Sequence, residues 1–217
     1  MKFLLTSAGI TNPSIAHAFF ELVGKKAQDI TLAFIPTAAN VEEGDKDWLI
    51  TDLCNLKKQN FKCIDIVDIS ALPQEIWKPR LELADVLIFS GGNTFHLMYW
   101  LKKSGLVNIL FDLLKTRVYV GISAGSMVTT KNLILSQSKR LYYENIPEDY
   151  SDEGLGFFSF HFRPHLNSPD FPKVRREFLQ EIRKELNDPI YALDDQSALK
   201  IQDEKIEIVS EGEYIIL

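Results

Sequence analysis

Five short apolar runs mark the first 130 residues, and each is followed by a segment with helical spacing. Lys2 to Thr6 is the first run and ends in the turn-like SAGITNPS; Ile15, Phe19, Leu22 and Val23 then recur as one face of a helix. Thr31 to Ile35 is a second run, stopped by Pro36, and Trp48, Leu49, Leu53 and Leu56 mark the next helix. Phe61 to Val67 and Asp85 to Phe89 predict the third and fourth strands. Helical stretches over Thr94–Lys103 and Leu106–Leu114 lead into a fifth strand from Arg117 to Val120. The runs are continuously apolar rather than alternating, which is the pattern of strands buried on both faces. Strands of that kind, alternating with helices, predict a mainly parallel central sheet in a three-layer α/β sandwich, with helices on both faces.

The second half is less regular. Residues 132–165 carry short strand-like runs at Leu133–Leu135 and Phe158–Phe162, and 170–187 predicts an amphipathic helix with Val174, Phe178 and Ile182 on its apolar stripe. Ile190–Leu193, Ala198–Ile201, Ile206–Val209 and Tyr214–Leu217 are short runs joined by tight turns, so they predict an antiparallel C-terminal edge. No linker, repeat or low-complexity segment divides the chain. The expectation is a single domain over residues 1–217.

Composition narrows the function classes. Thirty acidic against 24 basic residues give a net charge of -6, which argues against nucleic acid as a partner because phosphate binding needs a basic surface. Two cysteines, Cys54 and Cys63, make no disulfide framework or metal spacing and are expected to be reduced core thiols. Near the N-terminus, Thr6, Ser7 and Asn12-Pro13 interrupt what would be the apolar region of a secretion signal, and no run approaches a membrane span. These features predict a cytoplasmic protein with no membrane partner; the expected state is a monomer or homodimer.

The chemistry concentrates after strands four and five. GISAG, residues 121–125, is an instance of G-x-S-x-G where a strand meets a helix-capable segment. Ser123 is then either a nucleophile on a sharp strand-to-helix turn or the capping serine of a tight one. A nucleophilic serine needs a base, an orienting acid and an oxyanion hole. Of the four histidines, His17 and His96 fall inside helices and His161 inside an apolar alternation, whereas His165 follows Arg163-Pro164 in a loop and is the better base. Gly91 and Gly92 after strand four, with the Ala124 amide, are the candidate oxyanion donors. The acidic pair Asp194-Asp195 follows His165 in the chain, and Asp149, Asp152 and Asp170 remain open for a different layout. No metal or organic cofactor is required.

FSGGNTFHLMYWL, VGISAGSMV, FRPHLNSPDFP with RREFLQEI, and YALDDQSALKI, in this order between about residues 85 and 201, resemble peptidase E of the S51 serine peptidases, the aspartyl dipeptidase and cyanophycinase group. The resemblance implies a fold like the class I glutamine amidotransferases and a triad in the order Ser, His, acid. It implies Ser123 as nucleophile, His165 as base, and Gly92, less directly Gly91, with Ala124 as the oxyanion hole. Asp195 stands where the family carries a glutamate, one methylene longer, so the loop or the histidine would have to shift for it to reach. The implied activity is a dipeptidase for short peptides with an acidic first residue, and Asn93 with Arg175, Arg176 or Arg163 would meet the substrate. The rival readings are an esterase or amidase on the same scaffold and a catalytically silent binding domain.

Overall fold

The computed structural model of the protein describes residues 1–137 and 151–217. Five strands, β1 (Lys2–Thr6), β2 (Thr31–Ile35), β3 (Cys63–Ile66), β4 (Val86–Phe89) and β5 (Val118–Ile122), pair in parallel. Between them run α1 (Pro13–Val23), α2 (Thr37–Asn40), α3 (Asp47–Lys58), α4 (Gln74–Leu83), α5 (Thr94–Lys103) and α6 (Val107–Leu113). Asn12 and Pro13, which break the leader pattern, are the N-cap and first residue of α1: the Asn12 side chain accepts the Ile15 amide, and Gly24 closes the helix in the left-handed region.

Each buried strand divides its side chains between two cores. Phe3, Leu5, Ala33, Ile35, Leu87, Phe89 and Tyr119 face α5 and α6, while Leu4, Leu32, Phe34, Val86, Ile88 and Val120 face α1. The period-2 pleat and burial on both faces account for runs that never alternate with polar residues.

After β5 come the short helices α7 (Ala124–Met127) and α8 (Ile134–Gln137), then β6 (His161–Arg163), α9 (Arg176–Arg183), β7 (Ile190–Leu193), β8 (Ser197–Gln202), β9 (Lys205–Ser210) and β10 (Tyr214–Ile216). The central sheet has the order β3-β2-β4-β5-β1-β8-β9, with β8 and β9 antiparallel, and a second sheet has the order β10-β7-β6. The expected edge is therefore shared out: β8 and β9 extend the central sheet, while β7 and β10 turn away to hold β6.

Several local expectations are corrected. Leu133–Leu135 is not a strand; Leu135 lies in α8, and the nearby pairing consists of isolated bridges at Thr130–Phe158 and Asn132–Glu153. The strand expected at Phe158–Phe162 begins only at His161. The helix expected over 170–187 is shortened to α9. Val174 precedes it, so the helical spacing from Val174 to Phe178 has no meaning; Phe178 is exposed and Leu179 and Ile182 are buried. Cys54 and Cys63 are both exposed rather than core thiols. Cys54 lies on the outer side of α3, whose buried residues are Asp52 and Leu56, and Cys63 opens the edge strand β3. The pattern predicts nothing between Val67 and Asp85, where α4 buries Trp77 and Leu81 despite Pro79 in its interior.

Candidate active site

Two loops leave the carboxyl ends of the neighbouring strands β4 and β5, where ligands collect in parallel sheets. Ser123, between β5 and α7, has φ 48° and ψ -107°, a strained conformation for a residue with a side chain. Close packing enforces it. The turn lies so tightly on β4 that a Cβ on Gly125 would stand 2.1 Å from the Phe89 carbonyl oxygen. Beyond it, the Ser126 hydroxyl accepts the Thr6 amide at 3.0 Å and donates to the Thr6 carbonyl at 2.8 Å, tying α7 to β1. The Tyr119 hydroxyl donates to the Gly125 carbonyl at 2.6 Å. The motif's small residues thus serve packing, and the serine is left projecting.

His165 reaches this serine from the loop after β6. Its Nε2 lies 2.9 Å from Ser123 Oγ and its Nδ1 2.6 Å from Asp195 Oδ1. The backbone is again left-handed at His165, with φ 64°, and the ring stacks on Phe171 at 4.2 Å with 4° between planes. The aspartate reaches without the extra methylene. Asp195 follows β7, and its carbonyl accepts the Thr11 hydroxyl at 2.8 Å, which pins this turn to the loop before α1. Its neighbour Asp194 points the other way and accepts the Gln196 amide, the Ser197 hydroxyl and the Glu213 amide, organising the turn from β7 to β8. Among the alternative acids, Asp170 lines the cavity described below without standing at the histidine. Asp152 is exposed, its carbonyl accepting the Leu133 amide, and Asp149 lies outside the described residues.

Gly91 and Gly92 lie opposite the serine. A Cβ on Gly91 would be 3.3 Å from Ser123 Cβ. Gly92 has φ 122°, and a Cβ there would sit 2.2 Å from the Ala38 carbonyl oxygen, so only glycine fits. Among the described residues, no group accepts a hydrogen bond from the Gly92 or Ala124 amide, as donors kept for a developing oxyanion require.

A cavity of about 440 Å³ opens over these groups, within the range that holds small ligands. Arg163 lines it, buried to 3 % exposure, with its Nη1 donating to the Leu135 carbonyl at 3.3 Å. The other residues expected at the substrate lie elsewhere. Asn93 caps α5, its side chain accepting the His96 amide. Arg175 donates to the carbonyls of Ser168, Phe171 and Val174, holding the loop that carries Phe171. Arg176 lines a separate depression beside Asn167 and Glu213. His161 is buried on β6, away from the serine cavity, and burial pushes its imidazole below the usual range.

Asp52 is a cavity residue that the apolar pattern of α3 does not reveal. It is buried on α3 one turn before the buried Leu56 and one turn after the exposed Trp48, and lines the same cavity. A charged residue at an inward position of an amphipathic helix was the available signal. Burial first, and the Asp195 charge second, push its carboxyl up to about 7 from an ordinary 3.8. Between those values the folded protein holds a proton that the unfolded chain has released, so stability falls as pH rises through this window. Asp52→Asn removes that cost. It is expected to raise the thermal midpoint at about pH 8, by a stabilisation on the order of 2–4 kcal/mol, and to change it little at about pH 4; parallel melts check this.

The sequence profile of peptidase family S51 matches residues 3–209. The chain belongs to peptidase family S51. Among S51-type relatives it is 28% identical to peptidase E of Shewanella oneidensis, over 96% of this chain and 87% of that one. It is 25% identical to an uncharacterised peptidase of Pasteurella multocida, over 94% and 95%. A crystal structure from Listeria monocytogenes EGD-e, provisionally named peptidase E, superposes with a TM-score of 0.78 at 25% identity, covering 97% and 98% of the two chains. The protein is thus a serine-type peptidase of the S51 group on a peptidase E fold, and no helix among the described residues is long and apolar enough to cross a membrane.

Proposed function

We propose that this S51 peptidase is a cytoplasmic dipeptidase that cleaves short peptides through a Ser123–His165–Asp195 triad and an acyl-enzyme. The observation that carries the reading is the continuous chain of contacts, 2.9 Å from Ser123 Oγ to His165 Nε2 and 2.6 Å from His165 Nδ1 to Asp195, on a strained serine facing a cavity. Ser123 Oγ attacks the scissile carbonyl carbon while its proton passes to His165 Nε2. Asp195 accepts the Nδ1 proton in a hydrogen bond, fixing the tautomer and stabilising the imidazolium. The Gly92 and Ala124 amides receive the oxyanion. The tetrahedral intermediate collapses as the C–N bond breaks and His165 returns its proton to the leaving amine. Water, activated by the same histidine, then releases the acyl group and restores the Ser123 hydroxyl.

An acidic first residue is the proposed preference, with Arg163 as the cation that its carboxylate meets. Arg163 takes this role in place of Arg175 and Arg176 at the start of α9, neither of which lines the cavity among the described residues. Arg163→Gln is expected to raise KM for Asp-Leu about tenfold more than for Leu-Leu, because a charge-assisted hydrogen bond is lost for one substrate only. Steady-state kinetics on both dipeptides check this, with a p-nitrophenyl ester beside them. Equal effects on the two peptides would remove the acidic preference, and turnover of the ester alone would replace the peptidase by an esterase.

A further inference from the structure

The triad leaves the buried carboxyl of Asp52, which lines the cavity, without a role. Asp52 is only 8 % exposed, and among the described residues its carboxyl has no hydrogen-bond partner; Asp195 is the one charged group among them acting on it, and it repels. A carboxyl taken out of water without a partner costs several kcal/mol in ordinary folding terms, so such a group is normally eliminated or satisfied. Here it lines the wall that also holds Ser123 and His165.

Its surroundings select the missing partner. Among the described residues, Glu42, Glu43, Asp170 and Asp195 line the same cavity against Arg163 as the permanent cation in the wall, so their field favours a positive group. Trp48, one turn before Asp52 on the same face of α3, and Phe171 supply aromatic walls. A carboxylate beside aromatic faces is the chemistry that holds an organic cation. A metal ion fits poorly, since among the described residues no three His, Cys, Asp or Glu side chains are grouped as ligands.

We infer that Asp52 is the anionic end of a subsite for a primary ammonium group of the substrate, and so determines specificity without entering the chemistry at Ser123. The inference rests on the peptidase reading above and adds a recognition element to it. An ammonium donates hydrogen bonds to the carboxylate and cancels the charge whose isolation is unfavourable, so one contact satisfies both groups. The α-ammonium of the first residue and a lysine side chain carry the same chemistry, and the experiment separates them.

Kinetics on norleucyl-, N-acetyl-norleucyl- and N-acetyl-lysyl-p-nitroanilide test the inference. Wild type is expected to prefer an ammonium-bearing substrate, norleucyl or N-acetyl-lysyl, over N-acetyl-norleucyl by about tenfold or more in kcat/KM, the worth of one charge-assisted hydrogen bond. If N-acetyl-lysyl is the faster substrate, the side chain is the source of the ammonium; if norleucyl is faster and N-acetyl-lysyl stays as poor as N-acetyl-norleucyl, the source is the α-ammonium. Asp52→Asn is expected to shrink the preference by about tenfold, mainly through KM. A wild type that prefers neither ammonium-bearing substrate over N-acetyl-norleucyl overturns the inference, and so does an Asp52→Asn variant that slows every substrate by one common factor, since that pattern means Asp52 acts through Asp195. Asp52→Ser repeats the comparison should the amide variant not fold, and the wild-type preference stands or falls without either. Fluorophosphonate labelling of Ser123 separates the two readings: labelling without ammonium preference removes the subsite alone, whereas a wild type that neither labels nor cleaves removes the peptidase reading with it.

Discussion

Ser123→Ala is expected to lower kcat for dipeptide hydrolysis by about 10⁶-fold and to abolish fluorophosphonate labelling, while the thermal midpoint stays within a degree or two of wild type. The expectation follows from what the side chain touches. Its hydroxyl meets His165 Nε2 at 2.9 Å, whereas the fold around it is held by Ser126, Tyr119 and Gly125. Alanine keeps the Cβ and hence the strain at φ 48°. Ser123→Gly should therefore be as inactive but more stable than the alanine variant by about 1–2 kcal/mol, since glycine adopts that backbone without penalty. Mass spectrometry of the labelled protein and paired melts read both effects. Wild type labelled no more than Ser123→Ala would mean that the constellation is catalytically silent.

Asp195→Asn is the second large effect, an expected loss of about 10⁴ in kcat with KM changed far less. An amide can present its NH₂ to Nδ1, which forces the proton onto Nε2 and leaves the histidine unable to accept from Ser123. The 2.6 Å contact and the Thr11 hydroxyl on the Asp195 carbonyl also bear on the longer acid found at this place in peptidase E. With the turn pinned, an added methylene has no slack to occupy. Asp195→Glu is therefore expected to be slower than wild type, by about tenfold, rather than faster. Asp194→Asn should instead cost stability, because its carboxylate organises the turn from β7 to β8. Single-turnover rates and melts on the three variants distinguish these roles; an Asp194 variant as inactive as Asp195→Asn would overturn the assignment.

The order of the elements was legible because burial on both faces leaves a plain record in the chain. Runs such as Leu32 to Ile35 and Val86 to Phe89 have no polar position to spare, and only a covered parallel sheet demands that. The C-terminal runs were legible as strands but not as two sheets: β7 and β8 are both short and apolar, and their partners are far away in sequence. The site divided in the same way. Ser123 announced itself through the glycines that its turn requires, and His165 through its place in a loop after Arg163-Pro164. In the sequence Arg163, Arg175 and Arg176 look alike; in the structure Arg163 lines the cavity, Arg175 holds loop carbonyls and Arg176 lines a separate depression.

By itself, the amino-acid sequence determined a helix-covered parallel sheet, a serine on a strand-to-helix turn and a histidine downstream of it, since each depends on local pattern: apolar runs, turn chemistry and chain order. Tertiary structure alone decided that the shorter Asp195 reaches the histidine, which arginine enters the cavity, and that α3 places a carboxyl in the nucleophile's cavity. Those are distances between segments up to 184 residues apart, as in the Thr11–Asp195 contact, and no local pattern along a chain encodes them.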